Sequence, residues 1–120
     1  MGVIKSYKEL IVWQKSLQLV KEVYLLAKRL PKDETFGLTS QIKRAVISIP
    51  SNIAEGFGRK SFKEHNQFYL ISYGSALELE TQMIISIELG FFTKIEAERA
   101  NSLLNEVIRM LNKMTLSSRS

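Results

Sequence analysis

Apolar residues recur every three or four positions through most of this 120-residue chain, and short polar turns interrupt them. This spacing places the apolar side chains on one face of an α-helix, whereas a half-buried strand would need strict alternation. Only two prolines and six glycines occur, so few residues oppose long helices. The pattern predicts an all-α chain of four helices, at about residues 7–30, 34–57, 62–89 and 94–115, in a single domain that spans residues 1–120.

The connections between these segments are short, which favours antiparallel neighbours and an up-down-up-down antiparallel four-helix bundle. Proline after a helix, Ser/Thr-x-x-Glu capping boxes and a terminal glycine mark the boundaries. These residues are Pro31, Ser61 with Glu64, Gly90, and Thr93 with Glu96.

The first helix has two adjoining apolar stripes. The main stripe is Leu10, Trp13, Leu17, Val20, Tyr24 and Ala27, and a second one widens the face with Val12, Leu19, Val23, Leu26 and Leu30. The third helix also has two stripes, formed by Phe62, Tyr69, Ala76, Leu79 and Met83, and by Leu70, Tyr73, Leu77, Ile84 and Ile87. A four-helix bundle of this size buries one broad face of each helix. The surplus apolar surface of the third helix therefore predicts a subunit interface.

Pro50 lies inside the apolar pattern of the second helix. A proline there cannot donate to the carbonyl of Val46 and crowds it. The helix either continues with a kink, or breaks so that residues 52–55 cap a short new helix. The apolar spacing keeps its phase across Pro50, which favours the kink. Gly56 and Gly58 are then expected to end the helix.

Charge is distributed unevenly along the chain, which has a net charge of +5. Residues 1–60 contain 11 Lys and Arg against 5 Asp and Glu, a net of +6, whereas residues 61–120 contain 6 against 7, a net of −1. A basic half indicates an anionic partner such as RNA or DNA. Ordinary solubilising charge is the alternative interpretation.

Three groups of cations are candidates for contacts with nucleic-acid phosphates. They are Lys43 and Arg44 on the second helix, Arg59, Lys60 and Lys63 around the glycine turn, and Lys28 and Arg29, with Lys32 nearby, at the end of the first helix. Unpaired N–H groups at the start of the third helix would also favour an anion. Phe57 and Phe62 are candidate stacking platforms for bases, although both are also candidates for the core.

Residues for catalysis and for metal or cofactor binding are scarce. The chain has no cysteine and a single histidine, His65, with no Glu-x-x-His pair for a di-iron site. His65 would have to serve as the base for any serine nucleophile. Gly56 and Gly58 resemble half of a phosphate loop, but no predicted strand precedes them. We therefore expect a non-catalytic protein with no cofactor and no metal ion.

The sequence also indicates where in the cell the protein is located. No apolar run reaches the roughly 18 residues that a membrane span requires, and residues 1–5 lack the apolar core of a signal peptide. The absence of cysteine gives no indication of an oxidising compartment. We expect a cytoplasmic protein that does not bind membranes.

Three segments resemble those of a known family. Residues 43–45, Lys-Arg-Ala, precede residues 48–56, Ser-Ile-Pro-Ser-Asn-Ile-Ala-Glu-Gly, and residues 58–59, Gly-Arg. Residues 74–82 have the sequence Gly-Ser-Ala-Leu-Glu-Leu-Glu-Thr-Gln, and residues 7–15 contain Tyr-Lys-Glu-Leu and Trp-Gln-Lys. Together these segments resemble the 23S rRNA intervening-sequence protein family of bacterial four-helix bundles, over roughly residues 5–115.

The resemblance carries its own expectations. It implies an up-and-down bundle with no enzymatic activity and, from related proteins, a homopentamer. Many members are encoded within insertions in 23S ribosomal RNA genes, and the role of many is unsettled. A related branch comprises the accessory proteins of diversity-generating retroelements, which implies binding to nucleic acid and to a reverse transcriptase. The alternative to a nucleic-acid-binding protein is thus an adaptor for another protein that does not itself bind nucleic acid.

Overall fold

The computed structural model describes residues 3–119, and the side chains of residues 3–115. It contains four α-helices, which are α1 (Ile11–Ala27), α2 (Leu38–Phe57), α3 (Phe62–Glu88) and α4 (Glu98–Arg119). Two short 3-10 helices, Tyr7–Glu9 and Lys32–Glu34, precede α1 and α2. The described residues form no strand and occupy a body of 46 × 25 × 23 Å. The predicted all-α fold of four helices is confirmed.

The helices pack in a closed ring in which α1 contacts α2 and α4, and α3 contacts α2 and α4. Ion pairs join Lys15 to Glu106 and Glu22 to Arg99, so sequence numbers rise along α1 as they fall along α4. The helices α1 and α4 are therefore antiparallel. The complete up-down-up-down order stays a prediction.

Short-range capping signals determine the ends of several helices. Phe91 N–H donates to Ser86 O and Gly90 N–H donates to Ile87 O, which is a Schellman ending of α3. Gly90 has φ of +76°, the one positive φ among the described residues, and glycine adopts this conformation without strain. Before α4, the N–H groups and side chains of Thr93 and Glu96 bond reciprocally as a capping box.

The two apolar stripes of α1 are buried to different extents. The stripe of Val12, Leu19, Val23 and Leu26 is buried, whereas Leu17 is exposed. Trp13 and Tyr24, which carry polar atoms on large rings, lie at the edge of the core. The second stripe therefore supplies most of the core residues of α1, and most of the first stripe packs at the edge of the core.

The helix α2 continues through Pro50, as the in-phase apolar spacing predicts. Asn52 does not cap a new helix, since its Nδ2 donates to Ser48 O at 2.8 Å and to Ser48 Oγ at 2.9 Å. Ser48 Oγ in turn shares a hydrogen bond of 2.8 Å with Ser75 Oγ on α3. The buried Ser72 Oγ donates to Ile49 O at 2.9 Å. These bonds join α3 to α2 next to the proline, while a kink at Pro50 stays a prediction.

Gly56 does not end α2, contrary to expectation. It is buried inside the helix, and Gly58 is the C-cap residue with a helical φ of −76°. A Cβ built on Gly56 would lie 2.7 Å from Tyr69 Cε1 and 3.0 Å from Phe68 Cβ. Real Cβ atoms essentially never make such short contacts, so glycine at this position lets α2 and α3 approach closely.

Candidate functional site

The predicted cations lie in three separate places. Lys28 and Arg29 follow α1, Lys43 and Arg44 lie in the first turns of α2, and the remaining three lie around the turn between α2 and α3. Fifteen residues separate Arg44 from Arg59, which corresponds to roughly 22 Å along a helix. The structure therefore places the cations of the α2–α3 turn far from those at the start of α2 and does not gather all of them into one compact patch.

The corner after α1 contains one engaged cation and one free cation. Arg29 Nη1 lies 2.6 Å from Glu96 Oε2, in the turn before α4. Lys28, the C-cap residue of α1, is exposed and forms no ion pair with any described residue. Lys32, in the following 3-10 helix, is also exposed, but Asp33 and Glu34 adjoin it. Lys28 is thus the cation of this corner that is most available to an anion.

Lys43 and Arg44 have different surroundings although they are adjacent. Lys43 Nζ lies over the ring of Tyr24 on α1, 5.0 Å from the centroid, so Lys43 helps α1 pack against α2. Arg44 is exposed and lines an open concavity of about 380 Å³ between α2 and α3, together with Phe36, Ser40, Gln41 and Glu78. The carboxylate of Glu78 reduces the positive potential there.

The turn between α2 and α3 combines a fixed cation with two free ones. Arg59 Nη2 lies 3.1 Å from Glu55 Oε2, and its guanidinium lies over the ring of Phe68, 4.5 Å from the centroid. Lys60 and Lys63 are exposed, and neither forms an ion pair with any residue from 3 to 115. This turn therefore presents two uncompensated positive charges beside one that is held in place.

The N-terminus of α3 already has an acidic side chain. Ser61 Oγ accepts from Glu64 N–H at 3.2 Å and donates to Glu64 Oε2 at 3.0 Å. The Glu64 carboxylate thus takes up the favourable position beside the positive end of the helix. The expected anion site at these N–H groups is therefore weakened, and the lysine side chains become the more accessible anion contacts.

His65 packs in the first turns of α3. Its ring makes an edge contact with the ring of Tyr69 at a centroid distance of 6.2 Å, and burial raises the pKa of the Tyr69 hydroxyl. No group of three His, Asp or Glu side chains in the described residues could hold a metal ion. Gln82 Oε1 on α3 is buried without a hydrogen-bond partner. None of these residues forms an arrangement with evident chemistry.

No helix of residues 3–119 combines the length and the apolar character that crossing a membrane requires.

Residue type and spacing did not reveal the aromatic partners of the cations. The sequence predicted Phe57 and Phe62 as stacking candidates, and the structure half-buries Phe57 but leaves Phe62 exposed. Phe68 and Tyr24 carry the observed cation contacts. The i, i+4 spacing of Glu55 and Arg59 could have indicated their ion pair, whereas the contact of Arg59 with Phe68 depends on how α2 and α3 pack.

The helices that carry this turn match a family model. Residues 8–113 match the model of the 23S rRNA-intervening sequence protein. The chain belongs to the 23S rRNA-intervening sequence protein family. A comparison with curated proteins gave no match. Among solved structures, the chain is similar to a Bacteroides thetaiotaomicron protein of unknown function from the S23 ribosomal protein family, with 25% identity and a TM-score of 0.81, over 88% of this chain and 99% of that one.

The two segments that resemble the family most clearly face each other across α2 and α3. Ser48 of the first segment bonds Ser75 of the second, and Arg44 lines one concavity with Glu78. In this member of the 23S rRNA-intervening sequence protein family, these contacts hold α2 against α3.

Proposed function

We propose that this chain is a non-catalytic, homo-oligomeric protein that binds RNA or DNA through the phosphate backbone. The observation that carries the proposal is that four of the predicted phosphate contacts are exposed and form no ion pair with the described residues. They are Lys28, Arg44, Lys60 and Lys63. Phosphates lie about 3.4 Å apart along each strand of a duplex, so a body 46 Å long can meet several of them. The family takes its name from ribosomal RNA, and the similar Bacteroides protein is assigned to a ribosomal protein family, which supports RNA as the first probe.

Binding of this kind should depend steeply on salt. If the four free cations each contact a phosphate, the affinity is expected to fall roughly 100-fold between 50 and 200 mM salt, because each contact releases a counterion. Fluorescence anisotropy of a labelled structured RNA, measured at both salt concentrations, checks this. Folded protein that shows no binding at 50 mM salt would contradict the proposal.

The turn between α2 and α3 offers a clean charge-reversal variant. Lys60→Glu with Lys63→Glu is expected to abolish most of the binding while the fold is retained, since both side chains are exposed and unpaired. The matched control is Lys94→Glu with Lys113→Glu, which makes the same change of charge at two exposed positions elsewhere. Equal losses in both variants would show that only net charge matters and that the turn is not the site.

Self-association is the second part of the proposal. Beyond its first turns, α3 exposes large apolar side chains at Ile71, Leu77, Ile84 and Ile85. They extend over 14 residues, or roughly 21 Å of helix. An exposed apolar strip on a small protein, here interrupted by Glu78 and Thr81, favours contact with another subunit, and family resemblance favours a pentamer.

We expect light scattering coupled to size exclusion to give a mass several times that of one chain. Ile84→Glu is expected to lower this mass, since it places a charge in the apolar strip, whereas Ile95→Glu, at an exposed isoleucine before α4, should leave it unchanged. A monomer at micromolar concentration would refute self-association.

The rival function is an adaptor that captures a protein, such as a reverse transcriptase, without binding nucleic acid. An adaptor should capture its partner equally well after Lys43→Glu with Arg44→Glu, or after the reversal at Lys60 and Lys63. The second pair tests this better, because Lys43 also packs on Tyr24. A pulldown of the reverse transcriptase after nuclease treatment distinguishes the two functions.

A further inference from the structure

Phe62 is an exposed aromatic residue in a basic setting. It is the first residue of α3 and is 70% exposed. None of the described aromatic rings stacks on it. A single exposed apolar side chain is ordinary in folded proteins. Whether Phe62 indicates a binding site therefore depends on the residues around it.

Two of those neighbours are cations without local partners, and the carboxylate of the nearby Glu64 is bonded to Ser61. Lys60 and Lys63 flank Phe62 in sequence, and both are exposed and free of ion pairs within the described residues. Arg59, next to Lys60, is held by Glu55 and by the ring of Phe68. An exposed ring with two free lysines within two positions along the chain is complementary to a ligand with flat apolar faces and negative charges.

An open concavity adjoins the same turn. It has a volume of about 610 Å³, and Gly58 and Arg59 of the turn line it together with Ser51, Ala54 and Glu55 of α2. It extends from the turn along α2 toward Pro50. A strand that leaves the turn could follow this surface.

We propose that Phe62 stacks on an unpaired base of a bound nucleic acid, while Lys60 and Lys63 contact the phosphates on either side. This inference rests on the proposed function and specifies its substrate as single-stranded nucleic acid or a loop. In a duplex the neighbouring base pairs cover both faces of each base, so the ring of Phe62 could not reach one. Proteins that bind single strands combine aromatic platforms with a basic groove in this way.

Phe36 is another strongly exposed phenylalanine, at 97%, but its setting is different. Asp33 and Glu34 lie just before it, and Glu78 lines the same concavity. Arg44 also lines that concavity, but the three carboxylates weaken its attraction for phosphates. Phe36 therefore serves as the matched control for Phe62.

The experiment compares a single-stranded probe with a paired one. The first probe is a labelled oligouridine RNA of about twelve nucleotides, which is within the length that single-strand sites cover. The second is a blunt RNA duplex with the same number of base pairs. Both are titrated with wild type, Phe62→Ala, Phe62→Leu, Phe62→Trp and Phe36→Ala, after the fold of each variant is checked by circular dichroism and its mass by light scattering.

Phe62→Ala is expected to weaken binding of the single strand about five- to 150-fold, the range for loss of one base stack, and to leave duplex binding unchanged. Phe62→Leu, which is apolar but has no aromatic face, should lose as much, while Phe62→Trp retains binding and Phe36→Ala has no effect. The salt dependence should stay that of wild type in all four variants, because no phosphate contact is removed.

Direct evidence for stacking comes from 2-aminopurine placed in the single strand. Its fluorescence should change on binding wild type and Phe62→Trp but not Phe62→Leu. Equal losses for both probes in Phe62→Ala, or a changed mass of the oligomer, would overturn stacking and make Phe62 a structural or interface residue. Loss of single-strand binding in the lysine variants with none in Phe62→Ala would overturn stacking but leave the proposed function intact. No binding of either probe to wild type would overturn both.

Discussion

Gly56→Ala is expected to destabilise the protomer by about 1–2 kcal/mol, although alanine is the better helix former by about 1 kcal/mol. The added Cβ would lie 2.7 and 2.9 Å from two atoms of the Tyr69 ring and 3.0 Å from Phe68 Cβ. The ring could swing aside, but Phe68 Cβ is attached directly to the backbone of α3. The two helices must therefore separate, and the bonds next to Pro50 are strained with them.

Gly74→Ala is the matched control, because Gly74 also lies within a long helix. A Cβ at Gly74 meets no atom within 4 Å, so the variant is expected to gain about 0.5–1 kcal/mol from helix propensity. Urea unfolding at two protein concentrations measures both variants and separates any change in association from the effect within one chain. A gain of similar size at both positions would show that α2 and α3 lie farther apart than the structure places them.

Leu79→Ala is expected to cost about 2–5 kcal/mol, whereas Leu77→Ala should cost less than about 1 kcal/mol. Leu79 is fully buried among the core residues, and Leu77, two positions earlier, is 39% exposed on the opposite side of α3. Truncation of Leu79 leaves a cavity among packed side chains, while truncation of Leu77 removes a side chain that solvent already reaches. Chemical denaturation of dilute protein measures both values.

In an assay of self-association, the order of the two effects should be reversed. Leu77→Ala is expected to weaken self-association, because Leu77 belongs to the exposed apolar strip of α3, and Leu79→Ala should affect association only through the fold. Sedimentation at several concentrations separates the two. If Leu77→Ala lowered stability as much as Leu79→Ala while leaving the mass unchanged, the assignment of the two stripes on α3 would be wrong.

Local signals in the sequence predicted much of this fold. The 3,4 spacing of apolar residues indicated four helices, and phase across Pro50 indicated that α2 continues. Ser61 caps α3 as predicted, because a cap requires only residues within three positions of each other. Thr93 forms the predicted bonds with Glu96, but α4 begins only at Glu98. Ser6 forms a similar box with Glu9, which was not predicted although its spacing is the same.

The candidate cations were predictable as residue types but not as available charges. Arg29 is neutralised by Glu96, which lies 67 positions along the chain, and Arg59 rests on Phe68. Lys60 and Lys63 form no ion pair within the described residues, since the carboxylates nearest in sequence bond instead to Arg59 and to the hydroxyl of Ser61. Ion pairs and ring contacts of this kind depend on which helices are neighbours. A single sequence gives little information about that arrangement.

Helix positions, caps and family membership thus follow from the order of residues, because each depends on neighbours within a few positions or on a recognisable segment. The role of Gly56, the buried stripe of α1 and the exposed strip of α3 depend on contacts between residues far apart in the chain. The helices α1 and α3 each have two apolar stripes, so packing against specific neighbours selects what is buried. The same packing leaves Phe62, Lys60 and Lys63 at the surface together.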